Sequence, residues 1–114
     1  IMSTIQSASA LRTARLDLTT TNNTTLYTTP SKRDAIVESI IVSEDSGNAD
    51  TITVTITDSD SAVFNLFKVK AVSANGTIEL LSRDLLLVGG DILKVQAATA
   101  NRLHVVASIT EVPQ

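Results

Sequence analysis

The stretch Thr51-Ile52-Thr53-Val54-Thr55-Ile56-Thr57 alternates without a break. Ile52, Val54 and Ile56 share one face of an extended chain, and four threonines share the other. A period of two sustained over seven residues predicts a β-strand with one face on a core and the other on water or a polar partner. Every residue in it is β-branched, which suits the pleated surface of a sheet. Turn chemistry brackets the run, with Glu44-Asp45-Ser46-Gly47-Asn48 before it and Asp58-Ser59-Asp60-Ser61 after it.

Working outward toward the C-terminus, residues 63–72 form an apolar run with Lys68 and Lys70 on its solvent face. Asn75-Gly76 has the chemistry of a hairpin turn. Short apolar pieces follow at 78–81 and 85–88. Gly89-Gly90-Asp91 turns the chain into Ile92-Leu93-Lys94-Val95-Gln96-Ala97. The last strand spans 103–112, with Leu103, Val105, Ala107 and Ile109 on one face, and Pro113 ends it. Toward the N-terminus, 35–42 is a long β-branched run whose phase conflicts with itself. Both Ile36/Ile40/Val42 and Val37/Ile41 are apolar, so the run needs either a bulge or burial on both faces. Residues 26–29 form a short strand stopped by Pro30, and 15–19 alternates again.

About eight strands result, with turns every 8–12 residues. No segment sustains a helical stripe; at most 83–87 could make one turn. The predicted fold is all-β: an antiparallel two-sheet β-sandwich, jelly-roll-like, with an immunoglobulin-like sandwich as second choice. Ile52, Val54, Ile56, Leu93, Val95, Leu103, Val105 and Ala107 should lie in its core. Residues 1–12, small and mostly polar, read as an N-terminal arm or an edge strand, and 13–114 as the sandwich domain.

Composition narrows the function classes. A chain of 114 residues makes one domain. Aromatics are only 3% and Trp is absent, so the core must be aliphatic, and a base-stacking or sugar-stacking surface has little to build on. The formal charge is −3, with Lys32-Arg33 the only adjacent basic pair, so no nucleic-acid partner is expected. The chain contains no cysteine, which excludes disulfides, thiolate metal sites and cysteine nucleophiles. The opening Ile1-Met2-Ser3-Thr4 has no charged n-region, so no signal peptide is expected. No apolar run approaches the roughly 20 residues of a membrane helix, so no membrane partner is expected.

Reactive constellations are scarce. The single histidine, His104, is out of phase with Leu103, Val105 and Ala107 and should point away from the core. A general base there would need a nucleophile and an orienting carboxylate, and sequence places neither beside it. Glu44, Asp45 and Asp50 surround one loop, and Asp58 and Asp60 sit at the far end of the same strand. Seven extended residues separate the two groups by roughly 20 Å, too far for one calcium ion, so they read as solvated turn carboxylates. No catalytic, cofactor-binding or metal-binding residue is expected, no cofactor, and no enzyme. The residues expected to contact partners are Thr51, Thr53, Thr55 and Thr57 on the polar strand face, with His104. Ile5 and Leu11 would serve as apolar anchors if the arm docks.

Three stretches carry a resemblance. They are Leu26-Tyr27-Thr28-Thr29-Pro30 with the 35–42 run, then 51–58, then Thr77-Ile78-Glu79-Leu80-Leu81 with 86–97 and 103–108. In this order they resemble small β-sandwich virion structural proteins of tailed bacteriophages, over roughly residues 25–109. The resemblance implies a non-enzymatic sandwich that coats or joins other virion proteins. Capsid decoration (cement) is the first role, neck or tail accessory the second, and a carbohydrate- or ligand-binding module the rival from another class. The rival needs an aromatic platform, for which only Tyr27, Phe64 and Phe67 are present. The implied partners are further copies of the chain, as a homo-oligomer and first of all a trimer, and the major capsid protein or other virion proteins. The implied location is the virion, assembled in the host bacterial cytoplasm.

Overall fold

The structure, a computed structural model, describes residues 9–114. Nine strands run through them: β1 (Ala10–Asp17), β2 (Thr24–Thr28), β3 (Arg33–Glu44), β4 (Asp50–Thr57), β5 (Val63–Val72), β6 (Thr77–Glu79), β7 (Leu85–Leu87), β8 (Ile92–Ala97) and β9 (Leu103–Pro113). One sheet has the order β1-β9-β3-β6, with β7 also paired to β3, and the other has the order β2-β8-β4-β5. Every pairing is antiparallel. β6 and β7 are two short halves of one interrupted edge on β3. Counted together they leave eight strands, which change sheet at every step except the β4–β5 hairpin, the order of a jelly roll.

The period-two faces meet between the sheets. Ile52, Val54, Leu93, Val95, Leu103, Val105 and Ala107 are fully buried there, joined by Ala35, Val37, Ile40 and Val42. Ile56, nearer one end, is half-buried. The conflicting phase of 35–42 is resolved by a bulge. Val37 pairs with Ile109 and Ser39 with Ser108, so Glu38 is an extra residue. The inward face therefore switches from odd to even positions, and Ile36 and Ile41 turn outward.

Two expectations are corrected. Asn75-Gly76 is a turn, with Asn75 at φ 55° and Gly76 N–H donating to the Ser73 carbonyl at 2.9 Å. It is not a hairpin, because β5 before it belongs to one sheet and β6 after it to the other. Turn chemistry is local, and the partner of each strand is not. The 83–87 segment makes no helical turn either; its end is β7, held on β3 through Leu85 opposite Val37 and Leu87 opposite Ala35.

Candidate interaction surfaces

The register gives the sandwich two unlike ends. β3 and β9 are antiparallel, so Glu44, Leu103 and the end of β1 at Asp17 lie at one end. The starts of β1, β3, β5 and β8 lie at the other.

The first end is polar and tightly braced. The Glu44 side chain is buried and accepts bonds from Ser46 N–H at 2.7 Å, Asn75 N–H at 2.9 Å, Gly47 N–H at 3.1 Å and the Ser46 hydroxyl. Burial pushes this carboxyl up, but the four donors outweigh it and hold it at about 2. Asp50 is also buried and accepts from Thr99 N–H at 3.2 Å. These two are thus structural clamps, not the solvated turn carboxylates expected. Asp58, at the other end of β4, lies in the turn expected there and accepts from Asp60 and Ala62 N–H. Among the described residues no group of three metal-ligating side chains converges.

His104 stands on the outer face of β9 at this end. Its Nε2 lies 3.2 Å from Asp17 Oδ1 and its Nδ1 3.6 Å from Asp45 Oδ2. The imidazole therefore bridges β1 and the loop after β3. A carboxylate on each side is the orienting half of acid–base chemistry, and Ser43 of β3 is the residue opposite His104 in the register. The threonine row is less available than its alternation implies. β4 is an interior strand, so Thr55, between Lys94 and Asn65 in the register, is buried with its hydroxyl unpaired. That removes Thr55 from the contact surface. Thr53 Oγ1 accepts from Val69 N–H at 3.0 Å. Thr51, Thr53 and Thr57 are half-buried.

The second end carries what the sequence did not reveal. Leu11 is 82% exposed, Leu86 62%, Val63 58%, Phe64 55% and Val88 51%. Five large apolar side chains thus stand in water around one end, whereas scattered single ones would need no explanation. Leu11, Thr110, Ile36 and Leu86 form one row across β1, β9, β3 and β7. Ile5, the other expected anchor, lies outside the described residues. Inside this end, Glu111 is buried on β9. It accepts from the Tyr27 hydroxyl of β2 at 2.6 Å and faces Arg12 of β1 at 3.5 Å and Arg33 of β3 at 4.0 Å. Burial and then the bond to Glu111 push the Tyr27 phenol well above its ordinary value, so it stays a donor. The cluster ties four strands together beneath the apolar rim.

No family model matches the chain, and no curated protein does. A chain in the acidic stable capsid structure of Helicobacter pylori bacteriophage KHP30 superposes with a TM-score of 0.58 at 18% identity, over 96% of this chain and 92% of that one. The likeness is to a bacteriophage capsid chain. At this identity it establishes the shared sandwich architecture from end to end and no residue-by-residue correspondence. A pentameric capsid protein isolated from metagenomic phage sequences also matches, at 21% identity and a TM-score of 0.49, and this chain spans 61% of its length.

Proposed function

We propose that this chain is a non-enzymatic structural protein of a tailed-phage virion, and that it decorates the capsid shell. The carrying observation is the fold shared with a phage capsid chain over nearly the whole of both chains. The surface chemistry agrees with attachment. A rigid domain that presents Leu11, Val63, Phe64, Leu86 and Val88 at one end has an apolar contact patch with no sheet of its own to cover it. Its first occupant on this reading is the outer surface of the head. His104 on the outer face of β9, and Thr51, Thr53 and Thr57 on the outer face of β4 in the opposite sheet, would serve two separate polar contacts. A homo-oligomer, with a trimer matching local threefold positions of a shell, would let several modest contacts add by avidity.

The test is co-sedimentation of purified protein with heads and tails prepared separately from a phage lacking it. Saturable binding to heads, lost in Leu11→Asp/Leu86→Asp with thermal melting unchanged, supports the reading. Binding to tails alone transfers the protein to the neck or tail, and binding to neither rejects the virion role.

A further inference from the structure

A cleft of about 600 Å³ opens at the polar end, between the last residues of β5 and the start of β6. Asp50 and Val72, opposite each other in the β4–β5 register, line it from one sheet, and Ile78 of β6 lines it from the other. Ala49, Ala71 and Ala98 add small apolar walls. Backbone bonds hold these walls in place. Thr51 pairs with Ala71 across the β4–β5 ladder, and Ala98 N–H donates to the Thr51 carbonyl at 3.2 Å. The cleft is therefore built before anything enters it.

Asp50 shares the phase of Ile52 and Val54, so its side chain points between the sheets. It is only 7% exposed. Its Oδ2 accepts from Thr99 N–H at 3.2 Å. Its Oδ1 has no donor and, unlike the sealed hydroxyls of Thr29 and Thr55, is not closed off from solvent. No cation among the described residues pairs with this carboxylate. Arg102 donates its Nη1 instead to the Ala49 carbonyl, one residue away, at 2.8 Å. A largely buried carboxylate thus keeps one bare oxygen in a cleft whose other walls are mostly apolar.

That chemistry selects its occupant. A neutral apolar molecule would strip water from the free oxygen and give nothing back, and an anion would be repelled. A calcium ion needs six or more oxygens, and no group of three metal-ligating side chains converges among the described residues. A guanidinium prefers two free carboxylate oxygens for its paired donors, and here Thr99 holds one of them. An ammonium is a compact charge that needs only one, and its aliphatic stem suits alanine, valine and isoleucine walls. We infer that this cleft binds a primary alkylammonium group, with the ammonium on Asp50 Oδ1 and the stem along Ala71, Ala98 and Ile78. The group can arrive on a lysine side chain of a protein partner or as a free amine. The cleft lies at the opposite end from Leu11 and Leu86, so filling it does not compete with seating that end on a shell.

The test is an NMR titration of the folded protein, reading its alanine and isoleucine methyl groups at matched ionic strength. The probes are n-pentylammonium, Nα-acetyl-lysine N-methylamide and, as the uncharged control, n-pentanol. Saturable shifts at Ala71, Ala98 and Ile78 with an ammonium probe, and none with pentanol, support the inference. Saturation by the lysine derivative admits a protein partner; saturation by pentylammonium alone restricts the site to free amines. Asp50→Asn keeps an oxygen for Thr99 N–H and removes the charge, and should weaken binding by about tenfold or more. Ala71→Leu keeps the charge and fills the cleft from an exposed position, and should also abolish the shifts, which covers the case of an Asp50→Asn protein that does not fold. The inference is overturned if neither ammonium saturates, if pentanol binds as tightly, or if a folded Asp50→Asn or Ala71→Leu protein binds like the wild type.

Discussion

Single residues decide how the polar end holds together and how the edge of the second sheet is shaped. Glu44 is a carboxylate whose bonds require its charged form. Its pKa is depressed to about 2 from an ordinary 4.5, so its stabilisation is fully present above about pH 4.5 and is lost as pH falls toward 2. Glu44→Gln, which resembles the protonated acid, should therefore melt below the wild type at pH 6. That gap should shrink as both proteins are melted at pH 3 and then near pH 2. Val69 is a β-branched residue at φ 55°, a conformation costing on the order of 1–3 kcal/mol outside glycine. Its side chain is 59% exposed, so little burial offsets the strain. Val69→Gly should raise stability in urea by about 1 kcal/mol, net of the entropy glycine adds to the unfolded chain. In the core, Val54→Ala should cost on the order of 1–3 kcal/mol by the same measurement.

Elements were legible in the sequence where one alternating face met one core. β4, β8 and β9 alternate clearly enough that their inward residues could be named, and all of those are buried except Ile56, which is half-buried. β3 was legible only as a contradiction, and the bulge at Glu38 is its cause. That diagnosis has a sharp consequence. Deleting Glu38 makes the pairing regular, with Ala35, Val37, Ile40 and Val42 still inward, so the variant should remain folded with a cooperative melt. Deleting Ile41 from the same strand turns one half of it inside out and should abolish the cooperative transition. Other features were hidden because they depend on which strands become neighbours. Asn75-Gly76 announces a turn but not that the chain changes sheet there. Thr55 looks solvent-facing until Lys94 and Asn65 flank it. Glu44 and Asp50 look like loop carboxylates until backbone N–H groups fold over them. The Tyr27–Glu111 bond joins residues 84 apart, and no local pattern signals it. Tyr27→Phe would leave a buried carboxylate oxygen without its donor, at a cost of roughly 1–3 kcal/mol in chemical denaturation.

At the scale of the whole molecule, a polar, braced end opposes an apolar one. The apolar end could not be read from sequence, because Val63 and Phe64 belong to a run indistinguishable from a buried strand until β5 is placed at a sheet edge. That asymmetry suits a small part that seats on a larger surface and links to its neighbours. On the proposed reading, that larger surface is a phage head. The most direct measurement is a pair of cryo-electron microscopy reconstructions of particles made with and without this protein. Difference density of the size of the sandwich is expected on the outside of the shell, at symmetry-related positions, with the Leu11 and Leu86 end against the capsid. Shells that superpose without difference density, from particles whose protein content lacks this chain in both preparations, would contradict it.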